Sequence, residues 1–431
     1  MDKALIAHAQ GLHGTLIVPG DKSISHRSIM FGALAKGTTV IDHFLFSDDC
    51  KRTLAAFQAL GVPITIKGDQ VTITGVGFNG LKAPKQPLDL GNSGTSTRLL
   101  LGVFSKQPFP IQFFGDASLS KRPMQRVIGP LSQMGAQITA TNNDFLPLTI
   151  AANQKLDAVE MTVPVASAQV KSALIFAALQ ADGVSKLTEI AQTRDHTERM
   201  LRQFGGKIDK DGLTLTIKPQ NQFVAQKFRV PGDMSSAAFF ALAATLVPNS
   251  QLRLAQVGLN NTRTGFLDVL SRMGADFRVE NVDSKTAKAS GDVIVTSSKL
   301  KATTVHGAEI ANVIDEIPLI ALAATQAEGV TEISDAAELR VKETDRIETV
   351  ATELRKLGAN IETKPDGMIV HGPTALHTVT SDQVDSHGDH RIGLMLAVAA
   401  LVSDSQLTLT DASAINVSYP NFFTDLEQVL D

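Results

Sequence analysis

The sequence predicts a mixed α/β (α+β) chain of two domains, each made of three copies of one βαβαββ unit around buried helices. Three observations carry this. A helix-like stretch that closes on an apolar residue plus glycine, and then runs into a β-like segment, recurs along the chain. A second helix, apolar on nearly every side, recurs with it. The period is about 70 residues, too long for a short solenoid repeat, and 431 residues is a length for two or three domains.

The glycine-closed copies are Leu60-Gly61-Val62, Met134-Gly135-Ala136, Phe204-Gly205-Gly206, Met273-Gly274-Ala275 and Leu357-Gly358-Ala359. Each follows an amphipathic stretch: Leu54–Leu60, Gln125–Met134, Thr197–Phe204, Phe266–Met273 and Ile347–Leu357. A glycine there supplies the left-handed residue that ends a helix, a conformation costly for other residues. Phe422–Leu430 is expected to be a sixth such helix, with the chain ending where its glycine would fall.

The apolar helices are expected to begin near Ser25, Thr95, Gln169, Ser235, Asp315 and His390. Their bodies are Met30–Ala35, Leu99–Phe104, Ala173–Leu179, Ala237–Leu246, Ile317–Ala324 and Gly393–Leu401. A helix without a polar face is a buried helix. The unit therefore reads strand, buried helix, strand, amphipathic helix, two strands. The break falls near 226–232, where Gln226-Lys227-Phe228 runs into Pro231-Gly232, giving a first domain over 20–228 and a second over 229–431.

Composition excludes several function classes. The net charge is −4 and Trp is absent, so neither a basic field nor stacking platforms point to nucleic acid. Cys50 is the only cysteine. That rules out an internal disulfide or an all-cysteine metal site and fits a reducing compartment. Met1-Asp2-Lys3-Ala4 does not open a signal peptide. Apolar runs such as Ala237–Val247 and Ile392–Val402 fall short of the ~18 residues of a membrane span. A cytoplasmic protein without membrane or nucleic-acid partners is expected.

The buried helices are polar only at their N-termini. These read Gly20-Asp21-Lys22-Ser23-Ile24-Ser25-His26-Arg27, Gly91-Asn92-Ser93-Gly94-Thr95-Ser96-Thr97-Arg98, Ala166-Ser167-Ala168-Gln169-Val170-Lys171, Gly232-Asp233-Met234-Ser235-Ser236, Ile314-Asp315-Glu316 and Gly388-Asp389-His390-Arg391. Capping asks for one Ser, Thr, Asn or Asp per helix. It does not ask for Lys22, Arg27 or Arg391 beside the positive end of a helix dipole. Cations there make sense where an anion binds, as helix N-termini bind phosphate and carboxylate. Further basic segments, Lys121-Arg122-Pro123-Met124, Arg194-Asp195-His196-Thr197-Glu198 and Arg340-Val341-Lys342-Glu343-Thr344-Asp345-Arg346, each precede an amphipathic helix of the repeat.

Other motifs do not hold. Gly75-Val76-Gly77-Phe78-Asn79-Gly80 matches a dinucleotide fingerprint, but Leu81-Lys82-Ala83-Pro84 follows in place of a helix, so it reads as a turn. His387, Asp389 and His390 lack a third cluster at ligand spacing, so a structural or substrate role is favoured over a metal.

Together, Asp21–Arg27, Gly91–Thr95, Lys121–Met124, Arg340–Arg346 and Asp389–Arg391 resemble the signature segments of the 5-enolpyruvylshikimate-3-phosphate synthase family, in order and from Gly20 to Phe423. Ala166–Ser172 and Arg194–Glu198 resemble its class II branch. The resemblance implies a two-domain inside-out α/β barrel fold, with residues 1–19 joining 229–431 and substrates bound between the domains. It implies enolpyruvyl transfer from phosphoenolpyruvate to the 5-hydroxyl of shikimate 3-phosphate, with no cofactor and no metal; a monomer is expected. By position, Lys22, Ser23, Arg27, Ser167, Ala168, Gln169, Arg194, Asp315 and Lys342 would hold shikimate 3-phosphate. Lys22, Gly94, Arg122, Gln169, Arg346 and Arg391 would hold phosphoenolpyruvate, for which glyphosate competes in the family. Asp315 and Glu343 match the acid–base carboxylates: Asp315 would take the hydroxyl proton, and Glu343 or Lys22 would protonate the methylene carbon. One departure is Val417, where some members carry a Lys; that contact should be absent or supplied differently.

The chemistry suits these residue types. Two anions must meet, and Arg forks neutralise and orient carboxylate and phosphate together. Two alternatives remain at this point. The UDP-N-acetylglucosamine enolpyruvyl transferases share the repeats but carry a loop cysteine near the active site, whereas Cys50 leads into an amphipathic helix. A non-catalytic anion-binding relative should have lost Asp315 or Glu343.

Overall fold

Capping decides where the buried helices start. In the computed structural model, which describes residues 2–283 and 289–431, side chains of Asp21, Ser93, Ser167, Asp233 and Asp389 accept backbone N–H bonds at the starts of Lys22–Leu34, Gly94–Val103, Ala168–Ala178, Met234–Leu246 and His390–Leu401. The first helix thus begins at Lys22, a turn before the expected Ser25, because Asp21 is its cap. Ser25 lies inside that turn, where its Oγ accepts from the Leu45 N–H (3.2 Å). The fifth helix, Ile317–Thr325, lacks a side-chain cap and carries Pro318 in its first turn. Proline is best tolerated in that turn, where its missing N–H would be unpaired anyway, and the helix starts just before it. Asp315 lies outside the helix, behind the short helix Ile310–Val313.

The amphipathic helices end as expected. Gly61, Gly135, Gly205, Gly274 and Gly358 follow Asp48–Ala59, Gln125–Gln133, His196–Gln203, Gly265–Arg272 and Arg346–Lys356, all at φ of +82 to +93°. Phe422–Val429 is the sixth. Gly75 ends a strand and Phe78–Gly80 is one short 3-10 turn, so the Gly-rich stretch is a turn.

The chain divides into two units, Gly20–Val230 and Met1–Pro19 with Pro231–Asp431. Each has a hydrophobic core drawn from its own residues. This is the two-domain inside-out α/β fold: helices lie inside and sheets outside, and among the described residues no sheet closes into a barrel. One sheet shows the rule. Leu88–Asp89 is parallel to Ile111–Phe114, which is antiparallel to Phe145–Ile150, which is antiparallel to Ile138–Thr141. Burial alternates along Phe145–Ile150, as in a sheet with one packed face.

Borrowed strands complete the pattern. In Gly20–Val230, the strands Phe223–Val224 and Lys227–Arg229, late in sequence, lie parallel to Ala35–Asp42. In the other unit, His13–Leu16 lies parallel to Gln251–Gly258, and Lys3–Ala4 pairs antiparallel with Thr408–Thr410. The inner helices touch through small residues. A Cβ on Gly102 would stand 1.9 Å from the Ala173 carbonyl oxygen, so only glycine permits that approach.

Candidate active site

The polar N-termini fall three to each unit. In Gly20–Val230, Lys22 lies in the first turn of its helix with Nζ 2.5 Å from Asp49 Oδ2, which offsets the unfavourable dipole. Arg27 is 3 % exposed, and each of its three side-chain nitrogens makes a bond. Its Nε donates to Thr197 Oγ1 (2.6 Å), Nη2 to Ser172 Oγ (2.8 Å) and Nη1 to the Ser23 carbonyl (3.0 Å). The Ser172 and Thr197 hydroxyls share a further bond of 2.6 Å, and Ser172 donates to the Ala168 carbonyl. Ser23, Arg27 and Ala168 thus belong to one network, and Ser167 caps the helix that starts at Ala168.

Gly94 opens the second helix between two guanidinium groups: a Cβ there would lie 3.3 Å from Nη1 of both Arg122 and Arg98. Arg122 Nη1 donates to the Asn92 carbonyl (3.2 Å), and its Nη2 donates to Asn92 Oδ1 and to Ser118 Oγ (3.2 Å). Arg98 Nη1 donates to Gln169 Oε1 (2.6 Å), and Gln169 Nε2 to Thr95 Oγ1 (3.0 Å). Gly94, Arg122 and Gln169 therefore gather around Arg98, whose part sequence reasoning missed although it closes a quoted segment.

Arg194 stands on a segment anchored from below. Lys171 Nζ lies 2.9 Å from Glu189 Oε1 and 2.7 Å from Glu198 Oε1, all three side chains being buried. Glu189 also accepts the N–H (3.0 Å) and hydroxyl (2.5 Å) of Thr193. Lys171, one of the polar residues noted at that helix start, therefore holds carboxylates of its own chain.

In the other unit the centre is Arg346, 1 % exposed. Its Nε and Nη2 form a two-pronged pair with Asp389 (2.8 and 3.1 Å). Nη2 also reaches Glu343 Oε2 (2.7 Å), and Nη1 reaches Asp315 Oδ1 (3.4 Å). Burial opposes this charge, but Asp389, Glu343 and Asp315 outweigh it and raise the guanidinium above its ordinary pKa. Arg391 Nη1 lies 3.2 Å from Glu316 Oε1 and its Nη2 4.0 Å from Asp315 Oδ2. Lys342 is shifted down, chiefly by burial, with Asp315 and Glu338 pulling the other way. Asp315, Lys342, Glu343, Arg346 and Arg391 thus form one charged cluster. Arg340 is instead tied to Asp345 (2.7 Å) and to the Lys364 and Pro365 carbonyls (2.6 and 2.7 Å).

The remaining candidates have structural places. Asp389 caps its helix through the Arg391 N–H (2.9 Å), and His387 Nε2 meets buried Glu353 Oε1 (2.8 Å). Among the described residues no group of three His, Cys, Asp or Glu is placed to hold a metal, and no helix is long and apolar enough to cross a membrane. Cys50 is buried, and burial pushes its thiol up to about 12. Such a thiol is neither acid nor nucleophile at neutral pH. Val417 ends the 3-10 segment Ala412–Val417 and is half-buried.

A family profile described as EPSP synthase (3-phosphoshikimate 1-carboxyvinyltransferase) matches residues 6–426. The chain is 54% identical over 428 residues to a 3-phosphoshikimate 1-carboxyvinyltransferase of Listeria welshimeri, covering 99% of both chains. It is 51% identical over 430 residues to that of Leuconostoc mesenteroides, covering 100% of this chain and 99% of the relative. Among solved structures, the EPSP synthase of Acinetobacter baumannii superposes with a TM-score of 0.88 at 40% identity, over 100% of this chain and 98% of the other. The enolpyruvyl transferase NikO of Streptomyces tendae gives 0.82 at 18% identity, over 100% and 98%, a likeness of fold alone.

Proposed function

Because the chain belongs to the EPSP synthase family and is a 3-phosphoshikimate 1-carboxyvinyltransferase of the shikimate pathway to aromatic amino acids, we propose the following roles for its residues. Shikimate 3-phosphate is held by Lys22, Ser23, Arg27, Ser167, Ala168, Gln169, Arg194, Asp315 and Lys342. Phosphoenolpyruvate is held by Lys22, Gly94, Arg122, Gln169, Arg346 and Arg391. The observation that carries this reading is Arg346: buried, gripped by Asp389, and in contact with both Asp315 and Glu343. A fixed cation between two part-exposed carboxylates sets their positions and charges, which proton transfer requires.

Asp315 takes the proton of the 5-hydroxyl, whose oxygen attacks C2 of phosphoenolpyruvate. Glu343 or Lys22 gives a proton to the methylene carbon, making it a methyl group, and a tetrahedral adduct results. Phosphate then leaves, taking the proton from Asp315, and the methyl group returns a proton to Glu343 or Lys22, which restores the double bond. The same groups serve both halves. Positioning and fixed charge supply much of the rate. The buried, proton-retaining Cys50 argues against the UDP-N-acetylglucosamine alternative. We also propose a cytoplasmic monomer; the single buried cysteine suits a reducing compartment, and light scattering in solution tests the monomer.

The experiment is steady-state phosphate release from phosphoenolpyruvate with and without shikimate 3-phosphate. Release should require both substrates. Asp315→Ala should still bind shikimate 3-phosphate but turn over about 10²–10⁴-fold more slowly, the usual loss for a general base. Near-normal turnover removes Asp315 from the chemistry.

A further inference from the structure

We propose that Glu316 is a positioning residue for phosphoenolpyruvate binding, setting the Arg391 guanidinium through a buried relay that starts at Arg263. Glu316 directly follows Asp315 and is 1 % exposed. Its Oε1 accepts from Arg391 Nη1 at 3.2 Å and from the Ser235 hydroxyl. The Ser235 oxygen in turn accepts from Arg263 Nη2 at 2.5 Å, and Arg263 is held 2.8 Å from Asp233 Oδ1. Asp233 caps the helix Met234–Leu246, so the relay is rooted in the core.

The direction of the bonds is fixed. Arg263 can only donate, so the Ser235 oxygen accepts from it and the hydroxyl proton goes to Glu316. Glu316 Oε1 therefore accepts from both Ser235 and Arg391. Arg391 lies between two neighbouring carboxylates, 3.2 Å from Glu316 and 4.0 Å from Asp315. Without the Glu316 charge, Asp315 is the nearest remaining carboxylate of that pair. A guanidinium that moves onto Asp315 leaves its place for the incoming carboxylate or phosphate. A charge-assisted bond to a buried carboxylate holds a long side chain that would otherwise sample several rotamers.

This rests on the reading above that Arg391 holds phosphoenolpyruvate. The test is a double-mutant cycle in the full-length enzyme with Glu316→Gln, Arg391→Ala and both together, reading both Michaelis constants and the melting temperature. Glu316→Gln keeps the shape and removes the charge. It should raise KM for phosphoenolpyruvate at least fivefold and change that for shikimate 3-phosphate less than twofold. In the Arg391→Ala background it should change KM for phosphoenolpyruvate less than twofold, because its effect passes through Arg391. Effects that multiply, equal rises for both substrates, or a lower melting temperature without that split would each overturn the relay. If Arg391→Ala alone leaves KM for phosphoenolpyruvate unchanged, Arg391 is not a ligand and the proposal falls with that reading. Should Glu316→Gln not fold, Ser235→Ala carries the test: it cuts the relay but leaves the ion pair, and should raise the same constant by a smaller factor.

Discussion

A methyl group at position 94 would stand 3.3 Å from one nitrogen of Arg98 and one of Arg122, closer than carbon normally sits to either. Both are tips of long side chains, so they can yield where a backbone atom could not. Gly94→Ala should therefore fold normally and pay in binding, since overpacking costs about 1–3 kcal/mol. KM for phosphoenolpyruvate should rise while that for shikimate 3-phosphate holds, and the inhibition constant of glyphosate, the longer molecule, should rise more. Equal factors for phosphoenolpyruvate and glyphosate would refute discrimination by length. Gly94 was legible in the sequence as a glycine opening a polar helix start. Arg98 was not, because only the fold brings it against Gln169, more than a repeat away. Thr197 and Ser172 were equally silent: hydroxyls near a helix start look like caps until Arg27 is seen between them. The neighbouring His26 gives a pH signature. Burial first, then Lys22 and Arg27, hold its pKa well below 6.5. As pH falls through 6.5 the unfolded imidazole takes a proton that the folded one refuses, so stability drops from there downward to the folded pKa. By NMR, the His26 ring in the native protein should still be neutral at pH 6; an ordinary titration would contradict this.

Helices and loops carry the next level of order. The buried helices were visible in the sequence because three apolar faces cannot be solvated, and the glycine closures were visible because the left-handed position tolerates little else. Their first residues were less legible, since Asp21 and Ser25 are both good caps and only one is used. The segment between Glu189 and Glu198 was legible only as a basic stretch, Arg194–Glu198, before an amphipathic helix; its anchoring was not, because it comes from Lys171, which reaches both carboxylates from inside the third buried helix. One ammonium facing two buried carboxylates is costly to disturb. Removing one partner of such a group typically costs about 3–5 kcal/mol. Lys171→Met should lower unfolding free energy by that order in urea titrations. It should also weaken shikimate 3-phosphate more than phosphoenolpyruvate, because Arg194 and Thr197 sit on the loosened segment. A variant of native stability and unchanged affinities would show that the triad is incidental.

At the scale of the molecule, the two cores differ in how the chain reaches them. Gly20–Val230 is continuous, whereas the other unit draws Leu5, Leu12, Leu16 and Val18 from the far end of the sequence. Full burial of such side chains is worth about 1.5–3 kcal/mol each, and together they rival the entire stability of a typical domain, about 5–15 kcal/mol. Residues 20–230 expressed alone should therefore show a cooperative urea transition. Residues 231–431 alone should not, until a peptide of residues 1–19 is added; cooperative unfolding without the peptide would refute the asymmetry. The borrowed strands also impose a schedule on synthesis. The first residues to leave the ribosome cannot settle until Gln251–Gly258 has been made, and Lys3–Ala4 must wait for Thr408–Thr410. At translation speeds of about 5–20 residues per second, that leaves the leading strand unpaired for roughly 20–80 s. The middle of the chain can fold first, with its own beginning left hanging as a tether for the end.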